Sequence, residues 1–132
     1  MRKRESAMFK RKIYSKMQEW KKDSNGKTAL LIEGARRIGK STVVEEFAKN
    51  EYESYILIDF SRASKETKKL FEDVSDLNFL FLQLQLQYKV DLQERNSVII
   101  FDEVQLCPAA RQAIKALVAD HRYDYIETGS LI

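Results

Sequence analysis

Gly34 to Ser41 read GARRIGKS, and this stretch directly follows the apolar run TALLIE at residues 28–33. The pattern is GxxxxGK followed by Ser, which is typical of a phosphate-binding Walker A loop between a strand and a helix. Gly34 and Gly39 let the backbone turn tightly, so its N–H groups can approach phosphate oxygens. A helix predicted to begin near Ser41 would point the positive end of its dipole at the same anion. The stretch therefore predicts a nucleotide site on an α/β fold.

Individual residues of this loop have separate predicted roles. Lys40 would reach the β- and γ-phosphates as a point charge, and the Ser41 hydroxyl would bind Mg²⁺. Arg36 and Arg37 either contact a phosphate or a partner subunit, or are simply solvated on an exposed loop. The predicted nucleotide-binding residues are Gly34, Ala35, Arg36, Arg37, Ile38, Gly39, Lys40, Ser41 and Thr42.

Length and composition predict one domain. A chain of 132 residues is large enough for a sizeable core and too small for two. It has no apolar run long enough to span a bilayer, and its start, MRKRESAMFKRK, lacks the apolar stretch of a signal peptide. We therefore expect a cytoplasmic protein without a membrane segment. Cys107, the single cysteine, excludes an internal disulfide and is expected to be a small packing residue.

The first 22 residues are strongly basic. They hold nine basic and two acidic residues, a net charge of +7 against +3 for the whole chain, so the remaining residues sum to −4. Their large apolar residues fall at near-helical intervals: Phe9, Ile13, Met17 and Trp20. This spacing favours an amphipathic helix over residues 1–22 that docks on a core at 23–132. The alternative is contact with nucleic acid or anionic lipid, although no aromatic residues alternate with basic ones as base stacking would require.

The rest of the chain alternates between predicted strands and helices. Strands are predicted at 28–33, 55–60, 97–101 and 123–128, and helices at 41–50, 65–73 and 108–121. The strands are continuously apolar, which is typical of strands that are covered on both faces. We therefore expect an α/β fold, a three-layer sandwich of helices around a parallel sheet.

The segment LNFLFLQLQLQYKVDL at residues 77–92 is ambiguous. Strict alternation from Leu82 to Leu92 predicts a strand, whereas Leu77, Leu80, Phe81 and Leu84 fall on one face of a helix. Parallel strands need a crossover of a dozen or more residues. Because that crossover must lie between the second and third strands, we predict a helix from Leu77 to about Gln87.

A second motif, VIIFDE, covers Val98 to Glu103. The carboxyl ends of parallel strands form the ligand-binding edge of an open sheet, so Asp102 should lie beside the Walker A loop. Asp102 is predicted to hold Mg²⁺, through a water, and Glu103 to orient and deprotonate the attacking water. Asp59, at the end of the second strand, is expected to be a turn residue.

The end of the fourth strand carries Thr128, Gly129 and Ser130. A hydroxyl there could contact the γ-phosphate or the attacking water, and Thr128 is the predicted catalytic one. The alternative is a strand that leaves the sheet through an ordinary glycine turn. His121 has no evident partner and is expected at the surface.

GARRIGKS, VIIFDEVQ and YIETGS, in this order on alternating strands and helices, resemble the AAA-type ATPases of bacteria and archaea. More narrowly, they resemble predicted ATP-binding proteins in which this module precedes a C-terminal domain of unknown function. The resemblance implies a P-loop NTPase sheet ordered 5-1-4-3-2. It also implies Walker A roles for Lys40 and Ser41, Walker B roles for Asp102 and Glu103, and a sensor-1 role for Thr128 or Ser130.

The resemblance also implies parts that follow the fourth strand in such ATPases: a fifth strand, a helical lid and a region that supplies an arginine finger. We expect an incomplete core with the first strand's outer edge exposed, and a C-terminal region or partner subunit to complete it. Three functions stay open: Mg²⁺-dependent ATP hydrolysis, a nucleotide-gated switch without turnover, and phosphoryl transfer to a small molecule. No NKxD pattern occurs, so ATP is favoured over GTP.

Overall fold

A parallel sheet forms the centre of the computed structural model, which describes residues 2–34 and 39–130. Within these residues the sheet has four strands: β1 Leu30–Gly34, β2 Ser54–Asp59, β3 Ser97–Asp102 and β4 Asp124–Ser130. Their order across the sheet is β1-β4-β3-β2, and every pair is parallel. This confirms the predicted fold class and the predicted order of these strands.

Helices cover both faces of the sheet. They are α1 Arg2–Ser24, α2 Lys40–Glu51, α3 Lys65–Lys69, α4 Leu77–Tyr88 and α5 Pro108–Asp120, with short 3-10 turns at Leu70–Glu72 and Val104–Leu106. Helices α1 and α2 lie on one face, and α4 and α5 lie on the other. In the described part of the chain, no helix is both long enough and apolar enough to cross a bilayer.

Strand β3 shows why the strands are continuously apolar. Val98 and Ile100 belong to the apolar cluster under α1 and α2, whereas Ile99 and Phe101 belong to the cluster under α4 and α5. Successive side chains of a strand point to opposite faces, so a strand between two helical layers needs apolar residues on both faces. All six residues of β3 are buried, as the three-layer prediction requires.

Helix α1 docks on α2 through its apolar face. The Met17 side chain is fully buried, and Phe9, Ile13 and Trp20 pack partly buried around the same cluster. The Trp20 indole N–H also donates a 3.1 Å hydrogen bond to the carbonyl of Thr28. These contacts leave many of the helix's basic residues exposed to solvent.

Capping explains why residues 77–88 form a helix despite their alternating pattern. The Asp76 carboxylate accepts a 3.1 Å hydrogen bond from the backbone N–H of Phe79 and so caps the first turn. At the other end Lys89 takes the left-handed conformation, with φ of 55°, that ends many helices. The predicted helix is confirmed and ends one residue later than expected.

Two expectations differ from the structure in detail. The helix predicted over 65–73 is α-helical only to Lys69, and a 3-10 turn replaces its last part. Strand β4 continues through Ser130, so Gly129 lies within the strand and the glycine-turn alternative is wrong. His121 is exposed, as expected, and its Nε2 lies 3.0 Å from the carbonyl oxygen of Asn25.

A buried polar group ties the sheet together at its amino edge. Asp124 accepts a 2.7 Å hydrogen bond from the Arg95 guanidinium and a 2.5 Å hydrogen bond from the Tyr52 hydroxyl. The Arg95 side chain also donates to the carbonyl of His121. Gly26, which the Arg95 guanidinium covers, has φ of 81°, and this left-handed conformation explains glycine at this turn. The network stabilises the end of the sheet opposite the phosphate loop.

Candidate functional site

The sheet register brings the two sequence motifs to one edge. Gly34, the last residue of β1, pairs with Ser130 at the end of β4. Asp102 ends β3 beside it, and Lys40 begins α2 directly above this edge. Parallel strands leave the sheet at the same edge, so residues up to 90 positions apart in sequence meet there.

Lys40 is the buried cation of the site, with 3% of its surface exposed. Its Nζ donates hydrogen bonds to the Gly34 carbonyl at 3.2 Å and to the Ser130 hydroxyl at 3.0 Å. The same Nζ lies 4.0 Å from Oε1 of Glu103. A buried ammonium needs such partners, and the ones described here are two neutral oxygens and one carboxylate, which a phosphate can replace.

Gly39 lies at the amino end of α2, which is the positive end of the helix dipole. It has φ of 77° and ψ of 31°, a left-handed conformation that favours glycine, and it immediately precedes the helix. A Cβ on Gly39 would lie 3.4 Å from Cε of Lys10, so α1 reaches the phosphate loop. Thr42 is exposed in the first turn of α2. The four loop residues predicted between Gly34 and Gly39 lie outside the described part of the chain: Ala35, Arg36, Arg37 and Ile38.

Asp102 joins the two motifs through its Oδ1 atom. This oxygen accepts a 2.8 Å hydrogen bond from the Ser41 hydroxyl and a 2.6 Å hydrogen bond from the Thr128 hydroxyl. Asp102 is only 6% exposed, so these contacts replace the water that the carboxylate loses on burial. One oxygen atom of Asp102, in β3, therefore links Ser41 of α2 to Thr128 of β4.

Glu103 is held through both carboxylate oxygens. Oε1 accepts a 2.5 Å hydrogen bond from the Ser130 hydroxyl. Oε2 accepts from the Gln105 side-chain amide at 2.7 Å and from the Ser130 backbone N–H at 3.2 Å. Burial raises the pKa of Glu103, but these hydrogen bonds and the charge of Lys40 outweigh it and hold the pKa below its usual value. The side chain is therefore an ionised carboxylate at neutral pH.

The backbone at Glu103 is also unusual. Its φ is 55°, in the left-handed region, and its N–H donates a 3.0 Å hydrogen bond to the Thr128 hydroxyl oxygen. Non-glycine residues in this region carry strain that is often found at functional sites. Thr128 therefore fixes both acidic residues, by donating to Asp102 and accepting from Glu103.

The oxygen atoms at this edge suit a hard divalent cation. Among residues 2–34 and 39–130, no group of three or more His, Cys, Asp or Glu side chains could hold a metal ion alone. Mg²⁺ does not need such a group, because it is usually bound by one or two protein oxygens together with phosphates and waters. The Ser41 hydroxyl and Asp102 carboxylate, 2.8 Å apart, provide that smaller set.

Asp59 lies outside the site, whereas Gln105 belongs to it. Asp59 stays outside the site, since its Oδ1 accepts hydrogen bonds from the N–H and hydroxyl of Ser61, which confirms the predicted turn role. Gln105, in contrast, contacts Glu103 and had no predicted role of its own. The available sequence signal was its place two residues after Glu103, where the chain turns back towards the sheet.

The fold and this edge define a P-loop nucleotide-binding module. A family model described as an AAA domain matches residues 26–132, so the chain belongs to the AAA domain family. Among solved structures, the chain is similar to PCH-2 of C. elegans, with a TM-score of 0.55 and 16% identity over 93% of this chain. The match covers 37% of the PCH-2 chain, and at this identity it shows a shared fold. No curated protein matches the chain.

Proposed function

We propose that this chain binds ATP with Mg²⁺ at the carboxyl edge of its sheet and hydrolyses the γ-phosphate by attack of water. The observation that carries this proposal is the convergence of Lys40, Asp102 and Glu103 through shared hydroxyl partners. A cation, a carboxylate beside a hydroxyl, and a second carboxylate are the groups that nucleotide hydrolysis requires.

Binding would use the groups nearest the phosphate loop. The N–H groups at the start of α2 and the residues from Gly34 to Thr42 would surround the phosphates, and Lys40 would exchange its present oxygen partners for phosphate oxygens. Ser41 and Asp102 would hold Mg²⁺, which neutralises charge on the β- and γ-phosphates. Thr128 already orients Asp102 for this role.

Glu103 is the proposed general base. It would accept a proton from water while the water oxygen bonds to the γ-phosphorus and the bond to the β-phosphate oxygen breaks, which leaves ADP and inorganic phosphate. In the described arrangement both of its oxygens are occupied and its pKa is lowered, which makes it a weak base. A bound phosphate that draws Lys40 away from Ser130 would loosen the hydrogen bonds between Ser130 and Glu103. Nucleotide binding would therefore free a Glu103 oxygen to accept the proton from water.

A nucleotide-gated switch without turnover is the second candidate. Both carboxylate oxygens of Glu103 already accept hydrogen bonds, which favours this switch. A carboxylate held in this way cannot accept a proton from water, so nucleotide could bind without being hydrolysed. Turnover would then require an arginine and a lid from another segment or a partner subunit, and an arginine finger accelerates such reactions by several orders of magnitude.

We place this activity in the cytoplasm. The exposed lysines of α1 offer the surface for any nucleic-acid contact.

Calorimetry with MgATP tests binding. Lys40→Ala should weaken affinity at least about 100-fold, because it removes the only buried cation described at this edge. Lys49→Ala is the matched control, since Lys49 lies on the same helix and is exposed. Equal loss in both variants, or no binding by the unmodified chain, would refute the nucleotide site.

Phosphate release tests hydrolysis separately. Glu103→Gln should keep MgATP affinity and lower the release rate at least about 100-fold, because the amide cannot accept the proton. Glu46→Gln, an exposed position on α2, should change neither quantity. Binding without phosphate release by the unmodified chain would support the switch, and normal release by the Glu103 variant would remove this residue as the base.

A further inference from the structure

Helix α4 carries apolar side chains on both of its faces. The buried face holds Leu80, Phe81 and Leu84, each no more than 2% exposed. The opposite face holds Phe79, Leu82 and Leu86, which are 52%, 52% and 64% exposed. A helix at a protein surface normally places polar residues on its outer side, and a helix that is apolar all round is typical of an interior. The outer face of α4 therefore has the character of a covered surface.

The exposed residues form one continuous stripe, the α4 stripe of Phe79, Leu82 and Leu86. Spacings of three and four residues place side chains in a line along a helix. Among the described residues six large apolar side chains are exposed, and half of them belong to this stripe. Clustering of this kind, unlike scattered apolar residues, indicates a contact surface.

The stripe lies on a helix without a single charge. No Asp, Glu, Lys or Arg occurs from Leu77 to Tyr88, although 33% of the chain is charged. At that frequency, a random stretch of this length lacks charges in roughly one case in a hundred. Two amides beside the stripe are already engaged within the chain. Asn78 accepts a hydrogen bond from Arg122, and Gln87 donates one to Thr67.

We propose that the α4 stripe is the contact surface of a homodimer, with α4 of one chain packed against α4 of a second copy. In a two-fold contact each residue near the axis meets its own copy, so any charge there would face an identical charge. A charge-free apolar stripe avoids that repulsion. A strongly acidic or basic partner would find no opposite charge on this helix to pair with.

The spacing of the stripe suits an antiparallel pair. A two-fold axis beside Leu82 would set Phe79 of one copy against Leu86 of the other, because these residues lie on either side of the centre. A cavity of about 360 Å³ next to Leu86 could receive the incoming ring. Its lining combines the apolar side chains of Leu70 and Leu86 with the polar side chains of Glu66, Gln83 and Gln87.

The expected dimer is weak. Three side chains from each copy cover less area than the roughly 1,200 Å² at which stable interfaces begin. We expect dissociation constants between about 10 μM and about 1 mM, so the dimer would form at high or local concentration.

Sedimentation equilibrium of the nucleotide-free chain, from about 10 μM to about 500 μM, tests the proposal. The unmodified chain should change from monomer towards dimer over this range. Leu82→Lys should weaken association at least about tenfold, because two ammonium groups would then face each other across the axis. Met8→Lys is the matched control, because Met8 is 51% exposed on α1, away from α4, and this variant should dimerise normally.

Charge exchange then tests the two-fold geometry. Leu82→Lys and Leu82→Glu should each be monomeric alone and should form a mixed dimer when combined, because opposite charges then meet at the axis. A strictly monomeric unmodified chain would overturn the proposal. So would association that Leu82→Lys leaves intact, which would point to another surface such as the open edge of β1. Melting curves that match the unmodified chain would show that the variants fold.

Discussion

The hydroxyl of Ser41 donates a 2.8 Å hydrogen bond to Oδ1 of Asp102, although 61 residues separate the two in sequence. The contact joins the phosphate loop to the end of β3. Because both groups are hard oxygen donors, we predict that Asp102→Asn abolishes the effect of Mg²⁺ on ATP affinity. The unmodified chain should bind ATP at least about tenfold more tightly with Mg²⁺ than with EDTA, and calorimetry measures both affinities.

Asp59→Asn is the control for this prediction. Asp59 pairs with Asp102 in the sheet register and also lies at a strand end, but its carboxylate serves the turn at Ser61. An asparagine oxygen can still accept those hydrogen bonds, so this variant should keep the Mg²⁺ effect. Loss of the effect in both variants would show that it reflects general negative charge rather than a bound ion at Asp102.

Gln105→Ala should raise the pKa of Glu103. The Gln105 amide donates a 2.7 Å hydrogen bond to the carboxylate and is one of the groups that lower its pKa, whereas burial acts in the opposite direction. Carbon-detected NMR titration of the Glu103 carboxyl group measures the change without any need for turnover. Gln112→Ala, on the exposed side of α5, should leave the pKa unchanged. An unchanged or lower pKa in the Gln105 variant would contradict the described hydrogen bond.

Lys10→Met should weaken MgATP binding by roughly two- to tenfold. The physical reason is the approach of the Lys10 side chain to Gly39, which lets an ammonium of α1 add to the positive potential at the phosphate loop. The effect should shrink as salt increases, because solvent ions screen exposed charges. Lys12→Met removes the same charge from an exposed position of α1 and should have little effect. If both variants weakened MgATP binding equally, the net charge of the chain, and not the position of Lys10, would explain the effect.

Glu127→Gln should stabilise the chain at neutral pH. Glu127 is 8% exposed, its Oε1 has no described hydrogen-bond partner, and burial raises its pKa despite the opposing charge of Arg111. When the pKa of a group is higher in the folded state, its contribution to stability is fully present at pH below the unfolded-state pKa. The contribution is lost as the pH rises through the folded-state pKa. The ionised side chain is therefore a cost at pH 7 that glutamine removes.

The expected gain is about 1 kcal/mol, or roughly 3 to 5 °C in melting temperature. Calorimetric melting between pH 4 and pH 8 measures it, and the gain should disappear towards pH 4, where the carboxyl group is protonated in both states. Glu33→Gln, at an exposed position of β1, should show no such pH dependence. A gain that is equal at both pH limits would mean that packing, and not ionisation, causes it.

Local sequence rules predicted the strands well, because each rule describes a strong physical requirement, whereas the order of the strands was implied by the resemblance to AAA-type ATPases. Buried parallel strands are mostly apolar on both faces, and the requirement for a crossover correctly predicted a helix at residues 77–88, where alternation favoured a strand. The same rules placed Lys40, Ser41, Asp102 and Thr128 at one edge, where the structure brings them together.

Specific side-chain contacts were beyond these rules. Gln105 lies only two residues after Glu103, but its contact with the Glu103 carboxylate depends on the left-handed backbone at Glu103, which the sequence did not predict. The group around Asp124 likewise depends on Arg95 and Tyr52, which approach it only after the sheet has formed. Periodicity also treated the leucines of α4 as equivalent, whereas tertiary packing buries Leu84 and exposes Leu86.

The strand order has a consequence for how the chain acquires its structure. In the described sheet β1 has a single neighbour, β4, which leaves the ribosome after the other three described strands and enters the middle of the sheet. Until Ile126 to Ser130 have emerged, β1 and β3 remain unjoined, and Lys40 lacks its Ser130 partner. Contacts between such distant residues form slowly, because a long loop must close first. Assembly of the phosphate site is therefore a late step in folding, and a nascent chain should gain nucleotide affinity only once β4 is free of the exit tunnel.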